Sequence, residues 1–409
     1  MPKAGLFGAD FHLGAMQYGD ERREADYRRA MIAFFDAGIA NPNVAFLQLG
    51  GDTSDNPNEK KNVIQFVRAQ IKRAAQSGKI VYGITGNHDI GEPSLAAALD
   101  VDGFVDAEKA FLAALARGEA FRPYGEDGPA VAALHYTTPK KLWEKLQDIR
   151  NREKPENMST ELWLHQAIAP GAQTGFADFD AVDFVNQGWG TVISGDIHNG
   201  GIYPVPARDT NGVLVYPGSP EMTDINEYEH TTRGFVLHSP TDAETTPNID
   251  TFAKIPYANR PYRTFRFGTD RSPEHLQLIL DWVQSVTQER EQPIVRIVTT
   301  DLSWRQSPEL LPVVLKLMVE QPKREPTQMV PTGPALASVE GELFGGNAAR
   351  YGSVFTNEPL LAKLTRVLEA SDAPDNVKAL GAVILSNPGN PEKWSAAATD
   401  IVPEKAAAA

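Results

Sequence analysis

Five short polar clusters stand out by residue type and spacing: Asp10-x-His12, Gly51-Asp52, Gly86-Asn87-His88-Asp89, His165 and Asp196-x-His198. Carboxylates, imidazoles and one amide, with no sulfur among them, suit divalent ions such as Mn²⁺, Fe²⁺ or Zn²⁺. Residues i and i+2 of a strand share a face, so each Asp-x-His pair is expected to turn both side chains to one ion. Asp52 has two carboxylate oxygens and can bridge two cations. Two ions ~3.5–4 Å apart would activate a water and clamp a phosphate for in-line attack. The leaving alkoxide then needs a proton, which His88 is placed to give. An Asn-His-Asp turn alone is equally well a hydrogen-bonded loop. The ordered repetition of the clusters is what points to a shared site. His135, His230, His238 and His275 lack such neighbours and are expected to be structural.

Each cluster follows a short apolar run. The runs are "AGLF", "VAFLQL", "IVYGI", "ELWL" and "TVIS", and they read as buried strands. Helical spacing lies between some of them, with Tyr27, Met31, Phe34 and Phe35 in residues 21–37, and Val63, Phe66, Val67 and Ile71 in residues 62–75. Strands alternating with helices imply an α/β layered domain with ligands at the strand ends. The pattern changes near residue 256. "RPYRTFRF" and "QPIVRIVTTD" read as strands, and a helix starting at Ser272-Pro273 lies between them. This β-α-β unit is expected to be a small second domain, residues 256–324. A Pro- and Gly-rich linker, 325–355, and a C-terminal helical pair, 356–409, are expected to follow. In "NRPYRTFRFGTDR" arginines alternate with aromatics. Arg260, Arg263 and Arg266 are therefore candidate DNA contacts, or else the solvated face of a strand.

The bulk numbers exclude several classes. With no cysteine, the 409-residue chain has no disulfide, thiolate metal site or cysteine nucleophile. A formal charge of −14 argues against a broad basic nucleic-acid surface, although bound cations or a partner could supply positive charge. No apolar run approaches bilayer length, and the start leaves no room for a secretory signal, so the cytoplasm is the expected location.

The clusters resemble the calcineurin-like metallophosphoesterases, whose pattern is D-x-H, G-D-x-x-D, G-N-H-D/E, a lone H, and G-H-x-H. Within them the chain resembles the SbcD-type nucleases of DNA repair and recombination, in "DFHLG", "GGDTSDNPN", "LWLHQAI" and "YPGSPEMTD". The resemblance covers roughly residues 1–300. It implies a four-layer αββα sandwich over residues 1–255, a small α+β capping domain, and a C-terminal helical segment. It further implies a two-metal DNA exonuclease, with endonuclease activity as a further option, that is a homodimer and works with an SbcC-type ABC ATPase on which the helical pair would dock. The alternative is a stand-alone phosphoesterase for nucleotides or other small phosphoesters. Carried over residue by residue, the resemblance places one ion on Asp10, His12, Asp52 and His198. The other would use Asp52, Asn87, His165 and Asp196, with His88 as acid and Asp89 orienting it. Mn²⁺ is the expected metal, with Mg²⁺, Fe²⁺ or Zn²⁺ as alternatives. Asp196 departs from the family's usual histidine. A carboxylate there favours harder ions and adds negative charge beside the phosphate.

Overall fold

The structure, a computed structural model, describes residues 3–321 except 57–60, 92–94, 173–176, 208–210, 225–232, 241–246, 269–270 and 288–290. The expected linker, the C-terminal helical pair and His230 lie outside the described residues.

Apolar runs without alternation predict strands covered on both faces, and the structure shows why. The first sheet has six strands in the order Phe252–Pro256, Gly234–His238, Ala4–Gly8, Val44–Gly50, Ile80–Ile84 and Phe104–Asp106. The second has five, in the order Gly201–Pro206, Asn211–Tyr216, Thr191–Gly195, Glu161–His165 and Val131–Ala133. Successive residues of one strand serve two different interiors. Phe7 packs edge-on against Trp163 of the opposing sheet, with centroids 5.5 Å apart. Its neighbour Leu6 faces the other way, toward Met31, Phe34 and Phe35 of the helix Glu21–Ala40. That helix starts on Asp20, whose side chain accepts from the Arg22 amide. Together with Lys61–Gln76 it covers the first sheet, and Pro139–Arg152 and Ala181–Asn186 cover the second. The layers run α-β-β-α, in agreement with the fold read from the sequence.

Ala4–Gly8, Val44–Gly50 and Ile80–Ile84 are parallel neighbours, as are Glu161–His165 and Thr191–Gly195. Every polar cluster therefore leaves the carboxyl end of a central strand, where α/β sheets hold their ligands.

The β-α-β unit is present and is wholly parallel. Tyr262–Arg266, Ile294–Val298 and Lys316–Glu320 form a three-stranded sheet, with helix Pro273–Thr287 between the first two strands. The third strand, whose sequence does not alternate, is mostly half-buried. Phe252–Pro256 belongs to the first sheet, so the smaller sheet begins only at Tyr262.

Arg260 is corrected as a DNA contact. It is 6% exposed, and its guanidinium forks onto Asp26 at 2.6 and 2.9 Å. It also reaches Glu291 at 2.8 Å and the Gln292 carbonyl at 2.7 Å. A cation held in this way ties the smaller sheet to the first long helix and cannot meet a phosphate. Arg263 and Arg266 are exposed. The Arg263 guanidinium lies over Phe265 and Trp282, 5.0 and 6.0 Å from their centroids.

Candidate metal centre

The loops after the first two parallel strands zip together. The amides of Asp10, His12 and Leu13 donate to the carbonyls of Gly51, Asp52 and Thr53, each at 3.0 Å. The shared-face argument for the Asp-x-His pairs is corrected here. Asp10 and His12 lie beyond the strand end at Gly8, and Asp196 lies beyond Gly195. Asp10, His12, Asp52 and Asp196 have φ of 53°, 44°, 47° and 82°. Left-handed turns, not the pleat, aim these side chains. Such conformations cost ~1–3 kcal/mol for a residue other than glycine and cluster at functional sites. Two glycines make room. A methyl group at Gly51 would collide with the His165 ring, and one at Gly86 with the Asp52 carboxylate.

The imidazoles are held by Nδ1 and meet their neighbours through Nε2. His165 Nδ1 donates to the Gly50 carbonyl at 2.8 Å, and His12 Nδ1 to Asp55 Oδ1 at 3.2 Å. His198 Nδ1 lies 2.6 Å from Thr223 Oγ1. His12 Nε2 and His198 Nε2 stand 3.2 Å apart. Asp52 Oδ2 sits between the two groups of ligands, 3.3 Å from His165 Nε2 and 3.9 Å from His12 Nε2. Asp10 Oδ1 is 3.9 Å and Asp196 Oδ1 4.0 Å from His165 Nε2. Asp10 with His12 and His198, and Asp10 with Asp52 and His165, each bring their ligand atoms within 4.8 Å of one another.

Burial alone would strip His165 of charge, but the carboxylates of Asp52, Asp10 and Asp196 outweigh it and lift its pKa to about 10. Burial likewise works against the Asp52 anion, and the imidazoles of His165 and His12 overcome it and bring its pKa to about 2. Burial raises Asp196, with the His165 charge opposing. The centre is a sink for positive charge. Asp10 Oδ2 and His165 Nε2 are buried without a hydrogen-bond partner. Orphaned polar atoms, convergent Nε2 atoms and an N/O donor set all fit divalent cations.

The structure thus brings Asp10, His12, Asp52, His165, Asp196 and His198 together. Asn87 is exposed at the head of the 87–89 turn. His88 lies beside the converging residues, in a third group with His12 and Asp55 whose ligand atoms also fall within 4.8 Å of one another. Its ring stands edge-on to His12 at 5.0 Å, its amide donates to Asp52 Oδ1 at 2.9 Å, and its Nδ1 donates to the Asp55 carbonyl at 2.8 Å. Asp89 does not orient His88. Its fully buried carboxylate accepts from the amides of Thr53, Ser54 and Gly86 at 3.2, 2.9 and 3.0 Å and from the Ser54 hydroxyl at 3.0 Å. It pins the Asp52 loop to the Asn87 loop, and Asp55 takes the orienting role expected of it. Asp55 was legible as the second aspartate of "GDTSD". Thr223, 25 residues beyond His198, was legible only as part of "YPGSPEMTD", and nothing in that stretch tied it to His198. His135 accepts from the Thr85 amide at 3.0 Å, His238 lies in the core, and His275 stacks on Phe267. All three are structural.

Residues 6–200 match the calcineurin-like phosphoesterase family. The chain is also similar to two proteins called DNA double-strand break repair protein Mre11. One, from Sulfurisphaera tokodaii, is 23% identical over 295 residues, covering 71% of each chain. The other, from Methanocaldococcus jannaschii, is 26% identical over 228 residues, covering 54% of this chain and 57% of its own. A four-layer sandwich that gathers aspartates and histidines at its strand ends, with a match running through every one of those clusters, identifies the chain as carrying a calcineurin-like metallophosphoesterase domain, the catalytic unit of a metal-dependent phosphodiesterase.

Proposed function

We propose that the protein is a two-metal DNA nuclease of the SbcD and Mre11 kind. One observation carries this reading beyond phosphoester hydrolysis. The likeness to a double-strand break repair protein spans 295 residues, well past the phosphoesterase match, which ends at 200. Whatever is shared therefore includes more than the catalytic unit.

On this reading Asp10, His12, Asp52 and His198 hold one ion, and Asp52, His165, Asp196 and Asn87 the other. Divalent ions held there, most simply Mn²⁺, would supply Lewis acidity toward a phosphodiester and toward water at neutral pH. The chain supplies the remainder. The carboxylates of Asp10 and Asp52, fixed by left-handed turns, set where positive charge sits. His88, anchored through Nδ1 to the Asp55 carbonyl, would give a proton from Nε2 to the leaving oxygen. Exposed Arg263 and Arg266 are the DNA contacts that remain from the sequence reading. An SbcC-type ATPase partner and a homodimer rest on the family resemblance. No helix among the described residues is long and apolar enough to cross a membrane.

The test is hydrolysis with Mn²⁺ of linear and hairpin DNA beside a small phosphodiester, with Asp52→Ala as control. Cleavage of DNA abolished by Asp52→Ala is expected. Turnover of the small ester with DNA untouched would favour the stand-alone phosphoesterase reading.

A further inference from the structure

His165, His12 and His88 share one constraint: each Nδ1 meets an atom that can only accept, namely the Gly50 carbonyl, the Asp55 carboxylate and the Asp55 carbonyl. Nδ1 must then carry a proton, in the neutral ring as in the charged one, and Nε2 is the nitrogen left to face the centre. His198 is the exception. Its Nδ1 lies 2.6 Å from the Thr223 hydroxyl, which can accept or donate. The 3.2 Å approach of His12 Nε2 to His198 Nε2 requires a proton on one of the two nitrogens or a cation against both. A proton on neutral His198 Nε2 and a cation against it need opposite tautomers of His198, and a hydroxyl can serve either one. With a proton on Nε2, Thr223 donates to Nδ1. With a cation on Nε2, Nδ1 carries the proton and Thr223 accepts it.

We propose that Thr223 is a positioning residue for His198, setting the aim and tautomer of its ring and so the cation affinity of the Asp10, His12 and His198 group. The turn that carries Thr223 is built to hold it still. Gln17 Nε2 donates to the Thr223 carbonyl at 2.9 Å. Arg23 Nη2 and the Tyr27 hydroxyl donate to the neighbouring Met222 carbonyl at 2.8 and 3.0 Å. Arg23 and Glu221 are both buried and pair at 3.1 Å. Taking two charges out of water is costly unless their hydrogen bonds are satisfied, and here they fix the turn against the first long helix. The same turn reaches the centre a second time, where Ser219 Oγ donates to the Asp10 carbonyl at 2.9 Å. Thr223 thus stands on a rigid support that also touches a second member of the group.

This inference rests on the metal-centre reading, and the experiment separates the two. Mn²⁺ alone is titrated calorimetrically into the full chain and into Thr223→Val and Thr223→Ser, with melting temperature as the control for folding. Thr223→Val keeps the shape and removes the hydroxyl. It should weaken one Mn²⁺ binding event by roughly 10–100-fold, while Thr223→Ser returns it to the wild-type value. Wild-type affinity in Thr223→Val overturns the role of Thr223. A wild-type chain that binds no divalent ion overturns the metal centre instead. If the valine variant does not fold, the imidazole ¹⁵N spectrum of the Zn²⁺-loaded wild type decides. A proton on His198 Nδ1 supports the proposal, and Zn²⁺ on Nδ1 sinks it.

Discussion

His88 has one nitrogen left to act. Its Nδ1 is occupied by the Asp55 carbonyl, and its ring is braced edge-on by His12. His88→Ala should therefore leave ion binding intact and lower turnover ~10²–10⁴-fold. Loss of an ion on metal counting in this variant would make His88 a ligand instead. Asp196 raises a different question, since it replaces the histidine expected by resemblance. It stands 4.0 Å from His165 Nε2 with its side chain 30% exposed. Asp196→Ala should remove one Mn²⁺ and leave the ion on Asp10, His12, Asp52 and His198. Asp196→His should restore the second ion and widen tolerance toward softer metals. Equal Mn²⁺ stoichiometry and affinity in wild type and Asp196→Ala would end the ligand reading.

At the scale of elements, the loops matter more than the strands that carry them. The strand ends set the position of each cluster, but the side chains are aimed by the Asp10–Gly51 and His12–Asp52 backbone pairs and by the Asp89 brace across to Gly86. The link between the smaller sheet and the first long helix is likewise a matter of elements, and it turns on Arg260. Breaking a buried ion pair by removing one partner costs ~3–5 kcal/mol. Arg260→Ala should lower the melting temperature sharply and leave the salt dependence of DNA binding per folded molecule unchanged. Replacing Arg263 and Arg266 should do the reverse, because only exposed cations release counterions from DNA. A flattened salt slope in Arg260→Ala would return that residue to the interface.

Across the whole molecule, the two sheets meet over a buried polar group. The Tyr124 hydroxyl and Trp163 Nε1 both donate to Glu161 Oε1 at 2.6 Å, and His238 Nδ1 lies 3.4 Å from Glu161 Oε2. Burial raises the Glu161 pKa from 4.5 to about 7 and lowers that of His238 from 6.5 to about 3. Folded Glu161 keeps a proton that the unfolded chain has released, so it removes stability as pH rises from 4.5 to 7. His238 works in the opposite sense, adding stability as pH rises from 3 to 6.5. Glu161→Gln removes only the first effect. The melting temperature of the variant relative to wild type should therefore climb between pH 4.5 and 7 and level off above it. A difference independent of pH would show that Glu161 is ionised inside the fold.

The sequence by itself determined the layered α/β class, the order of the five strands that end in polar clusters, and the identities of most of the residues now found converging. It could do so because apolar runs and residue types are local properties, and a strand covered on both faces announces itself as an unbroken run. Only the tertiary structure decided the rest. Arg260 looked like a DNA contact in a basic stretch and became a buried partner of Asp26, more than 200 residues away. Asp89 looked like the orienter of His88, and four donors from neighbouring loops claimed it. Thr223 reaches His198 only because a buried Arg23–Glu221 pair fixes the turn between them. Hydrogen bonds and ion pairs are settled by which distant groups arrive at the same point, and no local spacing encodes that.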